Sequence, residues 1–207
     1  MHHDVIMAGF GGQGILMIGN LLAVAGLRQG LRVTFFPSYG VEMRGGTANC
    51  TVTLSDRDIG SPVTSTPMGV IAMNEPSVTK FVPRIRAGGH ALVNSSLVPA
   101  SSLPDEVGAK VLWIACNEVA QELGDPRLAS MVALGAYVQQ CGVVRPETLT
   151  EALADVLPEK AHKLIPLNAR ALEEGRRLAA SSSCSTSRGS RPGCDPSRSP
   201  CSRRPRP

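Results

Sequence analysis

Aromatic side chains are scarce. Phe, Tyr and Trp make up 3% of the 207 residues, so a core has to come from Val, Leu, Ile, Ala and Met, and stacking platforms for single-stranded nucleic acid are largely missing. Histidine is as rare. With only His90 and His162 beyond the N-terminal pair His2 and His3, a Ser-His-Asp relay is hard to assemble. His2 and His3 read as a solvated flank, because no further histidine or paired cysteine supports a metal site. The cysteines (Cys50, Cys116 and Cys141 in the body; Cys184, Cys194 and Cys201 near the C-terminus) contain no Cys-x-x-Cys pair. That excludes the grouped thiolates of an iron–sulfur site and predicts free thiols in a reducing compartment, the first three buried as packing. No uncharged run reaches membrane-spanning length, and the first residues lack a basic segment followed by an apolar one. The expected location is the cytoplasm, with no membrane partner.

The formal charge of +4 is concentrated at one end. Residues 181–207 hold Arg188, Arg191, Arg198, Arg203, Arg204 and Arg206 against the single acid Asp195, which leaves residues 1–180 nearly neutral. The body therefore carries no net electrostatic footprint for nucleic acid, and the basic end alone would give only salt-sensitive association. That end is Ser, Arg and Pro with almost no aliphatic residue, a composition that predicts disorder over 181–207. Length and uniform composition before it predict one domain over 1–180.

What the chain does have stands near its start. Val5-Ile6-Met7-Ala8-Gly9-Phe10-Gly11-Gly12-Gln13-Gly14 runs straight into the apolar, helix-like stretch Ile15 to Leu27. A β-branched segment ending in glycines and opening into a helix predicts strand, tight turn and helix, with backbone N–H groups around a concave anion site. The same Gly-x-Gly-x-x-Gly spacing also serves a turn that only packs helix on strand. A dinucleotide site would add an acid ~20 residues on, at the end of the second strand. Here that place holds Phe36, Pro37 and Ser38, which disfavours NAD. The P-loop lysine is absent as well, and Gly124-Asp125 lacks the remainder of a thiamine diphosphate motif.

Further strands are expected at Leu31 to Phe36, Ala48 to Ser55, Val70 to Met73, Ala91 to Asn94 and Val111 to Cys116. The strict alternation in the second of these predicts a half-buried strand near an edge or antiparallel to its neighbours. Helices are expected from Gly14 to about Gln29, from Asn74-Glu75-Pro76-Ser77 to about Arg84, at Glu118 to Leu123 behind an Asn117 cap, at Pro126 to Cys141, from Arg145 to about Leu157, and at Ile165 to Ala180. Pro37 to Thr47 reads as a loop. In an open α/β sheet it would lie beside the glycine turn at the carboxyl edge, as a site loop or as a solvated loop with a local Glu42–Arg44 pair.

The two loops together carry a resemblance. Gly9-Phe10-Gly11-Gly12-Gln13-Gly14, then Pro37-Ser38-Tyr39-Gly40-Val41-Glu42-Met43-Arg44-Gly45-Gly46-Thr47-Ala48-Asn49-Cys50, then Ser55-Asp56, Ile59-Gly60-Ser61-Pro62, Ala72-Met73-Asn74-Glu75-Pro76-Ser77 and Val93-Asn94-Ser95-Ser96 resemble the gamma subunits of the 2-oxoacid:ferredoxin oxidoreductases, the 2-oxoglutarate type in particular. The resemblance covers Asp4 to Ala180. It implies a Rossmann-like, three-layer α/β/α unit with a mixed, mostly parallel sheet. It also implies a multi-subunit enzyme, with alpha, beta and ferredoxin-like delta partners, that converts a 2-oxoacid, coenzyme A and oxidised ferredoxin into acyl-CoA, CO₂ and reduced ferredoxin. Thiamine diphosphate, Mg²⁺ and the iron–sulfur clusters are then implied on the partner subunits, with none held by this chain alone and with coenzyme A as co-substrate. The positions it marks as binding residues are Gly9, Gly11, Gly12, Gln13, Gly14, Ser38, Tyr39, Glu42, Arg44 and Asn74; no catalytic side chain is assigned. Pyruvate-type relatives read differently around Met43 to Gly46. Residues 181–207 have no counterpart in the family pattern and are either a natural extension or an altered reading frame. A ligand-free assembly domain and an independent nucleotide-binding reductase are the alternative functions.

Overall fold

A computed structural model describes residues 1–39, 46–103 and 107–185, with the side chains of Tyr39 and of 183–185 left aside. The six strands are β1 (His2–Phe10), β2 (Arg32–Tyr39), β3 (Thr47–Ser55), β4 (Gly69–Ala72), β5 (His90–Asn94) and β6 (Lys110–Ile114). They form one sheet in the order β2-β3-β1-β4-β5-β6. Pairings β1–β4, β4–β5 and β5–β6 are parallel, whereas β3 runs antiparallel to both β1 and β2. The sheet is thus mixed, with one reversed strand.

Helices cover both faces. On one lie α1 (Ile15–Arg28) and α4 (Ala129–Cys141), flanked by α3 (Cys116–Glu122), α5 (Pro146–Glu151), α6 (Leu153–Val156) and α7 (Ile165–Ser185). Val5, Met7, Val52, Leu54, Ile71 and Leu92 point into this larger core, against Ile18, Leu22, Met131 and Leu134. The alternate residues Ile6, Ala8, Val70, Ala72, Ala91 and Val93 face the other way, onto α2 (Glu75–Phe81) and the turn after it through Val78, Phe81 and Val82. This period-two division makes three layers from near-continuous apolar strands. α4 is buried almost all round, as its composition predicts.

Several boundaries differ from the sequence reading. β2 continues through Pro37 to Tyr39, because β3 supplies partners as far as Ala48 and because β2 is an edge strand, where a residue without an N–H is tolerated. β3 is antiparallel as expected but not half-buried: Thr51, Thr53 and Ser55 are at most 8% exposed. α3 starts two residues early, at Cys116, since the Asn117 side chain is taken by Asn94 Nδ2 at 3.0 Å instead of capping. α7 runs five residues past Ala180 to Ser185; residues 186–207 lie outside the described residues. His3 is no solvated flank. It is buried within β1, and its Nε2 lies 2.7 Å from the Tyr137 hydroxyl.

Candidate site at the ends of β1 and β4

The chain leaves β1 for α1 on one face and leaves β4 for α2 on the other, so the two neighbouring strands define a switch point at their carboxyl ends. The glycine turn stands there. Gly14 is the N-cap of α1 in the left-handed region (φ 76°) and brings no capping side chain. The first-turn amides therefore rely on partners other than a capping residue. A Cβ on Gly14 would lie 2.6 Å from Ser130 Oγ, so the start of α4 packs directly on this turn. Gly12 (φ +100°) would meet nothing within 4 Å, which leaves open space for a close backbone approach. Gly9 is the opposite case: a Cβ there would strike Gln13 Oε1, Ile15 and Met73 at 2.5–3.0 Å.

Part of the turn is closed on itself. The Gly11 N–H donates to Gly46 O at 2.9 Å and the Gln13 N–H to Phe10 O at 3.1 Å. The Gln13 side chain joins the two strand ends, accepting from the Phe10 N–H at 2.6 Å and donating to Met73 O at 3.4 Å. Asn74 is 2% exposed; its Oδ1 caps α2 by accepting the Ser77 N–H at 3.0 Å, while its Nδ2 is buried without a partner among the described residues. Gly9, Gly11, Gly12, Gln13, Gly14 and Asn74 thus converge on the switch point. Ser38 sits exposed at the far end of β2, opposite Asn49 of β3. The backbone of Tyr39 closes β2, and Glu42 and Arg44 lie outside the described residues.

An open cleft of about 180 Å³ borders the turn, lined by Gly12, Gln13, Met73, Asn117, Pro126, Arg127 and Ala129. Three of these were not legible as site residues. Met73 looked like the end of a buried strand, Asn117 like a cap, and Arg127 fell without distinction inside the helix expected over Pro126 to Cys141. Behind Asn117 lies a polar cluster at the ends of β5 and β6. Fully buried Asn94 accepts from the Cys116 N–H (3.1 Å) and the Ser96 N–H (3.3 Å), and Ser96 Oγ accepts the Asn117 N–H (3.0 Å) and donates to Glu118. The Ser96 hydroxyl, with the Glu118 amide, holds the Glu118 carboxyl below its usual range. This fixes the far wall of the cleft.

Cys50 and Cys116 are buried, and burial pushes the Cys50 thiol up to about 12; Cys141 is half-buried. These are protonated packing thiols at neutral pH. Among the described residues no group of three His, Cys, Asp or Glu side chains is placed to hold a metal ion, and no described helix is long and apolar enough to cross a membrane.

Fold and cleft together define an α/β domain with an open cleft at a switch point of its sheet. The family is shown by direct comparison: residues 4–178 match the pyruvate ferredoxin/flavodoxin oxidoreductase family, and the chain belongs to it. The chain is 35% identical over 178 residues to the ketoisovalerate oxidoreductase subunit VorA of Methanothermobacter thermautotrophicus, a match that covers 84% of this chain and 36% of that protein; it spans about a third of that relative's length. A keto/oxoacid ferredoxin oxidoreductase gamma subunit from Geobacter sulfurreducens superposes with a TM-score of 0.73 at 28% identity, over 86% of this chain and 99% of that one. The 2-oxoglutarate:ferredoxin oxidoreductase of Magnetococcus marinus, solved with 2-oxoglutarate, coenzyme A and succinyl-CoA bound, gives 0.75 at 28% identity, over 87% of this chain and 31% of that one.

Proposed function

We propose that this chain is the gamma subunit of a 2-oxoacid:ferredoxin oxidoreductase, acting on 2-oxoglutarate or a related 2-oxoacid, and that its switch-point cleft meets coenzyme A. The complex takes a 2-oxoacid, coenzyme A and oxidised ferredoxin to acyl-CoA, CO₂ and reduced ferredoxin. Alpha, beta and ferredoxin-like delta subunits carry thiamine diphosphate, Mg²⁺ and iron–sulfur clusters. This chain supplies a binding wall, not the redox chemistry.

One observation carries the reading: the family's glycine turn sits at a cleft where Gly12 leaves room for a ligand and α1 has no side-chain cap. Family membership and the similarity to an enzyme solved with coenzyme A support it. So does the donor set: Cys50, Cys116 and Cys141 are packing thiols with no grouping for a cluster among the described residues. The choice of 2-oxoacid is the finer part of the proposal, since similar proteins are named for ketoisovalerate and for 2-oxoglutarate.

A second reading, an assembly domain without a ligand, draws on the internal closure of the Gly11 and Gln13 amides. Purifying the native complex and assaying an oxoacid panel with a low-potential acceptor tests the proposal. CoA-dependent turnover with 2-oxoglutarate or a branched 2-oxoacid is expected. A complex that turns over no 2-oxoacid, or a native protein that elutes as a free monomer, would overturn it.

A further inference from the structure

We propose that Arg127 is a phosphate-binding residue of this cleft, gripping an anionic group of the ligand from the wall opposite the glycine turn. The inference rests on the reading of the cleft as a coenzyme A site and names a residue that the glycine motif does not include.

Arg127 lies in the short helical turn Pro126–Leu128 that precedes α4, and it is the one basic side chain among the described residues lining the cleft. Its guanidinium does not hang free at the rim. Asp125 holds it side-on, with Nε 3.0 and 3.1 Å from the two carboxylate oxygens and Nη2 2.7 Å from Oδ2. The same carboxylate caps the turn by accepting the Arg127 N–H at 3.0 Å. Backbone and side chain of Arg127 are therefore fixed by one acid, which is itself the more buried partner at 18% side-chain exposure against 80%. The contact draws the Asp125 carboxyl below its usual range and keeps it ionised.

As an ion pair this contact contributes little, because it is exposed and adjacent in sequence. As a geometric device it does more. A guanidinium carries five N–H donors in a planar fork, and Asp125 engages only Nε and Nη2, so the Nη1 donors stand outside the pair. A long side chain already held in one orientation loses less freedom when it binds. Across the cleft, Gly12 presents backbone with no side chain in the way. A planar guanidinium with donors left outside the Asp125 pair, lining the same cleft as an open backbone turn, fits a phosphate, which Arg engages with paired hydrogen bonds. Coenzyme A supplies such groups in its diphosphate and its 3′-phosphate.

The test uses the assembled complex. The wild-type enzyme is labelled with a photoreactive coenzyme A analogue, and CoA kinetics are measured for wild type, Arg127→Gln and Arg127→Lys. Labelling of the glycine-turn peptide, with a KM for CoA raised about ten- to a hundredfold in Arg127→Gln, partly restored in Arg127→Lys, and with an unchanged KM for the oxoacid, is the expected result. Repeating the series with 3′-dephospho-CoA identifies the group: an effect that disappears assigns Arg127 to the 3′-phosphate, and one that persists assigns it to the diphosphate. Labelling of this chain together with an unaltered CoA requirement in Arg127→Gln overturns the role of Arg127 and leaves the cleft reading intact. Labelling confined to other subunits overturns both. The side chain is exposed and Asp125 still caps the turn through the backbone N–H, so the variants keep their fold.

Discussion

His3 on β1 and Tyr137 on α4 meet in the interior, Nε2 to hydroxyl at 2.7 Å, although 134 residues separate them. The Tyr137 hydroxyl lies where a side chain on Gly69 of β4 would stand, its oxygen 1.6 Å from that Cβ position. The glycine makes room for the bond. Burial is the main cause that lowers the His3 pKa to about 4, aided by His90 and His2 and opposed by Asp4. The Tyr137 phenol is raised well above its usual range by the same burial.

The pH dependence of stability follows from this pair. In the unfolded chain His3 takes up its proton near pH 6.5, whereas in the fold it stays neutral down to about pH 4. The fold is therefore at full stability above pH 6.5 and loses it as pH falls toward 4, by on the order of 2–3 kcal/mol from this residue. Urea midpoints between pH 7.5 and 4.5 should fall accordingly. His3→Phe should flatten the decline while lowering stability at pH 7.5, because Tyr137 loses its partner. A variant with the wild-type slope would show that the dependence arises elsewhere.

The α4–α7 contact depends on two glycines used reciprocally. A Cβ on Gly135 would lie 2.0 Å from Leu172 O, and one on Gly175 would lie 2.0 Å from Val132 O, so each helix presses on the other's backbone. Gly135→Ala and Gly175→Ala should each force the helices apart at a cost of about 1–3 kcal/mol, read as a loss of roughly 2–4 °C in Tm per kcal/mol. Unchanged melting of both variants would mean that the helices pack less closely than described.

How far the sequence reached follows the range of the interactions. The strand–glycine–helix unit at residues 2–28 and the Asn74-Glu75-Pro76-Ser77 helix start are set by neighbours in the chain, and both stand where the residues predict. Pro37 to Tyr39 looked like loop because proline and turn residues punctuate it, yet pairing with β3 draws them into β2. The burial of His3 and the taking of Asn117 by Asn94 needed partners 134 and 23 residues away, which no local pattern reveals. Arg127 was hidden for a related reason. Only the fold brings the α3–α4 connection across from Gly12.

Asn74 separates a structural from a binding role. Its Oδ1 caps α2, so Asn74→Ala should destabilise the domain by about 1–2 kcal/mol. Asn74→Asp keeps the acceptor but replaces the buried Nδ2 donor. If that donor meets ligand, Asn74→Asp should raise the CoA requirement with little change in the stability of the apo protein at neutral pH. A large loss of stability would instead tie the amide to the fold.

Truncation tests the C-terminal boundary. Removing residues after Ser185 deletes a Ser, Arg and Pro segment of low apolar content and should leave melting and assembly unchanged. Cutting after Ala180 removes the last turn of α7, including Ser182, whose hydroxyl bonds Leu178 O at 3.0 Å, and should lower Tm measurably. Loss of assembly from the cut after Ser185 would make the tail functional.

The most direct measurement is the CoA concentration dependence of one Arg44→Ala preparation of the assembled enzyme, taken with its subunit stoichiometry. Arg44 lies outside the described residues, in the segment that carries the family resemblance and is marked by it as a binding residue, and we propose that it contacts coenzyme A. Losing a charge-assisted contact of about 1.5–3 kcal/mol should raise the CoA requirement roughly ten- to a hundredfold, with oxoacid affinity and stoichiometry unchanged. An intact complex whose CoA dependence matches wild type would contradict it.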